Sequence, residues 1–381
     1  MRLVVTPAAF KESLTAAEVA AAIVRGFRDV FPSATFVENP LGDGGPGTMD
    51  ALLSALDGHI RTVIVRGPLG NPISADYGIT GDGSTAIIEM ARAAGMELIP
   101  PDRRNPLVTS TFGVGELIID AVRQGVSRVI VALGGSGTVD GGTGMARALG
   151  VRFLDERGDE LPEGGGSLDK LFSIDATEVA RELDSVRIEG ACDVTNPLCG
   201  PHGAARVFAP QKGATADMVE RLERGLERLA DIVDRDLGVA VGNVPGSGSA
   251  GGLGAGLVGF LGARLRSGID LVIDAIDLEK EIVQADLVIT GEGRLDEQTA
   301  MGKAVSGVAN LARRRGVPVV AVCGGVSDNA ETALEGVLDA VIPIPPRPAS
   351  MSESIRNAAA WTESAARRLA RIMRHVRCRE M

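Results

Sequence analysis

Aromatic side chains are scarce in this sequence, 3% of 381 residues, with one Trp and one Tyr. A core for a chain of this length must then be filled mainly by Val, Ile, Leu and Ala. Histidine is rarer still: His59, His202 and His375 show no HExxH spacing and no partner pattern for a hydrolytic triad. The four Cys, at 192, 199, 323 and 378, form no CxxC pair, which excludes the usual zinc spacing and argues for reduced thiols in a cytoplasmic protein. No apolar run reaches about 18 residues, so no transmembrane helix is expected. The opening "MRLVVTPAAFKESLTA" lacks the long apolar stretch of a signal peptide and reads as strand, loop, helix. Positive charge is in deficit, 39 Lys and Arg against 50 Asp and Glu, for a net −11. That balance argues against a nucleic-acid or anionic-membrane surface. A small anion held by a few local cations and backbone N–H groups remains compatible with it.

Glycine is plentiful instead. There are 50, many in clusters, within an otherwise ordinary composition of 45% apolar and 23% charged residues. Such clusters suggest loops where backbone approaches a ligand rather than disorder. Between them the chain alternates short apolar runs with helical spacing. "RLVVTP" precedes "TAAEVAAAIVRGFRDVF", where Thr15 suits a helix N-cap. "TVIVRGP", "STAIIEM", "RVIVALGG", "VRIEGACD", "DLVIT", "PVVAVCGG" and "AVIPIP" read as further strands. The alternation predicts an α/β fold with largely parallel sheets. The length favours two domains. The final apolar runs resemble the βαβ pattern of the first 65 residues, so residues 1–80 and 285–381 are expected to form one discontinuous, Rossmann-like or flavodoxin-like α/β domain. Residues 81–284 would be a second α/β domain inserted into it.

In such sheets ligands gather beyond the carboxyl ends of the strands. "GGSGTVDGGTG" (134–144) follows a strand. Its Gly134, Gly135, Ser136 and Gly137 are candidates to cradle an anion, and Asp140 to hold a metal or a hydroxyl; a tight strand–helix turn would use the same residues. "PGSGSAGGLGAG" (245–256) contains a literal G-x-G-x-x-G. Pro245 and the weak run before it make it a poor dinucleotide fingerprint, and Gly246, Ser247 and Gly248 read better as a second phosphate-facing loop. "CDVTNPL" (192–198) sets Asp193, Thr195 and Asn196 at a strand end, where a carboxylate could orient a hydroxyl and take its proton, or merely stabilise an Asx turn. Arg206 and Lys212 follow in "GAARVFAPQKGA". "LVITGEGRLDEQTAMGK" (287–303) frames Glu292 with Gly291 and Gly293, then adds Arg294 and Asp296; an ion-paired turn is the simpler alternative. Gly302-Lys303 is followed by Ala304, so it is no Walker A loop. Anion cradles, strand-end carboxylates and local cations together fit phosphoryl transfer, with Mg²⁺ held by oxygens.

The ordered segments "FKESLTAAEVA", "VRGPLGNPISADYGI", "NPLVTSTFGVGELI", "LGGSGTVDGGTGM", "ACDVTNPLCGPHGAARVFAPQKGA", "PGSGSAGGLGAGLVGFLGA" and "ITGEGRLDEQT" resemble the type I glycerate kinases along essentially the whole chain. The resemblance implies ATP-dependent phosphorylation of D-glycerate with Mg²⁺, by two α/β domains with the active site between them. Combined with loop position and chemistry, it suggests Asp193 as the base, Lys212, Arg294 and Lys11 as cations for phosphate or carboxylate, and Glu292 and Asp296 near the metal. The chain departs from the family pattern at Ala8 and Ala9, at Pro46 and at Val139, which remove two carboxylates and an amide from loops expected to line the cleft. Two further readings therefore stand: a kinase for another small hydroxy acid, and a catalytically impaired metabolite- or nucleotide-binding relative. The oligomeric state is left open.

Overall fold

A computed structural model describes residues 1–41, 48–297, 299 and 304–380. The chain divides into two compact units, one of Met1–Asp43 with Ile269–Met381 and one of Gly44–Gly268.

In the first unit five strands make one parallel sheet. Strands are numbered along the chain: β1 (Arg2–Val5) and β2 (Thr35–Glu38) come from its beginning, and β11 (Leu287–Leu295), β12 (Val319–Val326) and β13 (Ala340–Pro343) from its end. Their order is β13-β12-β11-β1-β2, with Leu3, Val4 and Val5 in register with Leu287, Val288 and Ile289. Both faces of β1 are covered, and Leu3, Val4 and Val5 are fully buried, as the unbroken apolar run requires. Thr15 caps the helix Ala16–Arg28 in a closed box: its hydroxyl accepts the Glu18 N–H, and Glu18 accepts the Thr15 N–H at 2.8 Å. That helix packs on the long helix Met351–Glu380. The approach needs Gly26, because a Cβ there would lie 2.3 Å from the Glu363 carbonyl.

The second unit holds β3 (His59–Arg66), β4 (Pro72–Ile79), β5 (Thr85–Glu89), β6 (Arg128–Ala132), β9 (Arg187–Ala191) and β10 (Arg264–Arg266) in the order β10-β9-β6-β5-β4-β3. From β5 to β10 the pairing is parallel, while β3 and β4 form an antiparallel hairpin on one edge. A separate antiparallel pair joins β7 (Arg152–Leu154) to β8 (Ser173–Asp175). β3 and β4, expected with the chain ends, thus belong to the second unit's sheet. The cause is a pairing between Ile79 and Ala86 that joins β4 to β5. Residues 269–284, expected in the inserted part, belong to the first unit. Helix Phe112–Arg123 packs against β3 and β5, and its buried Val114, Leu117, Ile118 and Ala121 join the core of aliphatic side chains.

Candidate active site

In the second unit three glycine-bearing loops meet. Loop 133–142 leaves the carboxyl end of β6, and loop 192–203 leaves that of its neighbour β9. Both touch segment 245–252: the Gly141 N–H donates to the Gly251 carbonyl at 3.1 Å, and the Gly248 N–H to the Asn196 carbonyl at 3.0 Å. Ala250, Gly251 and Gly252 all have left-handed φ, at 51°, 67° and 89°. A Cβ on Gly251 would stand 1.9 Å from the Thr138 carbonyl. These glycines bring backbone against backbone. The third glycine of the G-x-G-x-x-G is therefore occupied by a neighbouring loop, and no strand leads into the motif, so it is not a dinucleotide fingerprint.

Lys212 lies beneath the first of these loops. It is 3% exposed, and its Nζ donates to Ser136 Oγ at 2.7 Å and to the Thr138 carbonyl at 2.8 Å. Burial pushes its pKa down to about 7, against the opposing pull of the Asp140 charge. Gly134 and Ser136 are half-buried, Gly135 is exposed, and Gly137 is buried with its carbonyl accepting the Thr109 hydroxyl at 3.0 Å. The hydroxyls of Thr138 and Ser247 are buried without a hydrogen-bond partner among the described residues. Gly246 has φ 84°, and its carbonyl accepts the Ser249 hydroxyl at 2.7 Å.

Two expectations about this unit are corrected. Asp140 is fully buried, and its carboxylate accepts from the Thr111 N–H (2.8 Å), the Thr111 hydroxyl (2.8 Å), the Gly142 N–H (3.1 Å) and the Gly144 N–H (3.2 Å). These donors fix the starts of helices Phe112–Arg123 and Thr143–Ala148, so Asp140 shapes the loop and does not face a metal or a substrate hydroxyl. Arg206 is exposed and grips Glu220 with two nitrogens, at 2.6 and 3.1 Å, a surface ion pair rather than a cation held for substrate. Asp193 and Thr195 are exposed, and one Asp193 oxygen accepts the Gly268 N–H at 2.9 Å. Asn196 donates its side-chain amide to the His202 carbonyl at 2.8 Å. Val139 is fully buried in the apolar core, so the missing amide there takes nothing from an exposed surface.

In the first unit, the strand expected to end near Thr290 runs on to Leu295, paired with β12 as far as Leu295 against Val326. Gly291 serves that pairing: a Cβ on it would lie 2.0 Å from the Val322 carbonyl, so it leaves no room for ligand. The Gly291 carbonyl accepts the Ala8 N–H at 2.7 Å, which ties the altered Ala8 segment to β11. Gly293 approaches the backbone of Phe10 and Lys11 and lines a cavity. Lys11 and Arg294 are exposed and border the same cavity. The carboxylates of Glu292 and Asp296 converge on the hydroxyl of buried Thr299, at 2.5 and 3.4 Å from its Oγ1. Asp43, Pro46, Gln298 and Lys303 lie outside the described residues. The predicted residues therefore fall into two sets: Lys11, Gly291, Glu292, Gly293, Arg294 and Asp296 in the first unit, and the remainder in the second. Sequence reasoning missed Arg347, which borders the cavity with Lys11 and Arg294; its only signal was a cation in the Pro-rich stretch after the last strand.

The family model described as the glycerate kinase family matches residues 3–374. The chain belongs to the glycerate kinase family. It is 46% identical to a glycerate kinase of Halalkalibacterium halodurans over 97% of both chains, and 47% identical to one of Bacillus subtilis with the same coverage. It is 46% identical to the glycerate 2-kinase of Escherichia coli over 94% of each chain. A crystal structure of a Salmonella typhimurium LT2 protein, provisionally assigned as glycerate kinase 2, superposes with a TM-score of 0.91 at 46% identity, over 99% of each chain.

Proposed function

We propose that this protein is a glycerate kinase that moves the γ-phosphoryl group of ATP to a hydroxyl of D-glycerate, giving phosphoglycerate and ADP. Membership of the family along residues 3–374 supports the reaction class. The observation that carries the reading to this chain's own residues is the buried Lys212 beneath the Gly134–Gly137 loop. A lysine so shielded from solvent, whose hydrogen bonds among the described residues go to neutral groups, suits an anion.

Within this reading Asp193, exposed at the end of β9, orients the glycerate hydroxyl and accepts its proton as that oxygen bonds to phosphorus and ADP departs. Thr195 and Asn196 position the acceptor beside it. Lys212, Arg294 and Lys11 meet phosphate or the glycerate carboxylate, and the exposed peptide groups near Gly135 and Gly246–Gly248 approach phosphate oxygens. Glu292 and Asp296 suit Mg²⁺, because they converge on one hydroxyl and the ion takes only one or two carboxylates when phosphates complete its shell. When bound, Mg²⁺ neutralises charge on the transferring phosphoryl group. ATP and D-glycerate are dissolved substrates, and in this reading the protein meets them in the cytoplasm; among the described residues no helix is long and apolar enough to cross a membrane.

ADP release measured with a panel of small hydroxy acids tests the assignment. Release with D-glycerate at the highest kcat/KM is expected. A preference for another acid would move the substrate, and nucleotide binding without release would make the chain a binding relative.

A further inference from the structure

The first unit contains a cavity of about 430 Å³, within the size range of small-molecule sites. It opens at the carboxyl ends of β1, β11, β12 and β13. Its walls come from Phe10, Lys11 and Ser13 after β1, Gly293-Arg294 in β11, Gly324–Val326 in β12, and side chains from Ile344 to Ala358 after β13, those of Arg347 and Ile355 among them. The order β13-β12-β11-β1-β2 sends the chain one way from β1 to β2 and the other way from β11 to β13, so the cavity borders the point where strand order reverses.

We propose that this cavity is the nucleotide's seat, taking the adenosine end of ATP against its apolar wall and the phosphates toward Lys11 and Arg294; the assignment rests on the kinase reading above. Phe10, Val326, Ile344 and Ile355 make one side of it apolar, as a purine requires. A three-carbon hydroxy acid would leave most of that surface bare and would find few polar groups to orient its hydroxyls. No Asp or Glu lines the cavity, whereas Lys11, Arg294 and Arg347 do. Arg347 is already paired with Glu353 at 2.6 Å, which leaves Lys11 and Arg294 as the cations for phosphate. The helix start after β1 is less suited to that role, because the Glu18 carboxylate accepts the Thr15 N–H, the Thr15 hydroxyl accepts the Glu18 N–H, and the acid sets a negative charge at that end. Close approach of backbone is built in. Gly293 and Gly324 face each other so tightly that a Cβ on Gly324 would lie 2.4 Å from the Gly293 carbonyl. Gly325 is different: a Cβ there would meet nothing within 4 Å and would enter the open space.

Gly325→Val therefore directs its side chain into the seat from a position where the Cβ itself meets nothing. In this variant the ADP dissociation constant by calorimetry and the KM for ATP should each rise at least ~10-fold, with the KM for D-glycerate within ~2-fold and the melting temperature unchanged. A folded variant with unchanged ADP affinity overturns the proposal, and so does a rise in the glycerate KM alone, which would make the cavity the acceptor site. If the wild-type protein releases no ADP with glycerate, the kinase reading fails separately. The calorimetry then still decides: ADP binding lost in Gly325→Val keeps the seat, and no ADP binding by the wild type removes it. Should Gly325→Val not fold, Ala349→Trp at the exposed rim carries the same expectations.

Discussion

Lys212 Nζ rests 2.7 Å from the Ser136 hydroxyl, while the nearby carboxylate of Asp140 is taken up entirely by Thr111, Gly142 and Gly144. The lysine is thus buried near a carboxylate to which it makes no hydrogen bond. Burial brings its pKa to about 7, whereas an unfolded lysine titrates near 10.4. Between these values the unfolded chain binds one more proton, so stability should rise with pH from about 7 toward about 10 and be independent of this group below pH 7. Denaturant titrations at pH 7, 8.5 and 10 check this, with the rise attributable to Lys212 absent from Lys212→Met.

The same lysine should report ligand. An anion set against it restores its charge, so ligand binding at pH 8 should take up protons, approaching one per site. Calorimetry with ADP and with D-glycerate, each in two buffers of different ionisation enthalpy, would show the uptake in wild type and its loss in Lys212→Met. The same dependence of the heat on buffer in both proteins would remove Lys212 from the anion site.

Glu292→Gln should lower turnover at least ~10-fold, some 1.4 kcal/mol of barrier, with little change in melting temperature. The carboxylate is only half-buried and accepts the hydroxyl of Thr299, which an amide oxygen can also accept. Wild-type turnover in the folded variant would make Glu292 a structural partner of Thr299 and no more.

Asp140→Asn should destabilise the protein by about 3 kcal/mol, because a buried amide cannot accept from all four donors and leaves some unpaired. Chemical denaturation gives the value. A loss of activity without a loss of stability would return Asp140 to the role of a metal or substrate ligand.

Arg206→Ala should leave kcat/KM within about twofold, since its guanidinium is exposed and spent on Glu220, and exposed pairs contribute little. A large kinetic effect would show that Glu220 releases it during turnover.

Much of the first unit was legible from local pattern: β1, β11, β12 and β13 are short Val- and Ile-rich runs separated by helical spacing. The hairpin β3–β4 was assigned to the wrong unit because its attachment depends on pairing with β5, which no local period encodes. The end of β11 was read short because Gly-Glu-Gly is a poor strand sequence. Its partner β12 carries Gly324 and Gly325 at the matching place, and the two glycine-rich stretches lie side by side. Loop 134–144 was visible as a special strand end. Asp140 was misread because its four donors are backbone groups and a threonine brought in from around residue 111, which sequence spacing does not reveal. Val139 looked like a lost polar group for a similar reason: only the fold shows that it points into the core.

The central claim is that the chain phosphorylates glycerate. Phosphorus NMR of purified protein with ATP, Mg²⁺ and D-glycerate tests it directly. The account predicts that a phosphate-ester resonance of phosphoglycerate grows in step with the loss of the ATP γ-signal, and that no such resonance appears when glycerate is omitted. Full retention of ATP with glycerate present, or conversion to ADP and inorganic phosphate alone, would contradict it.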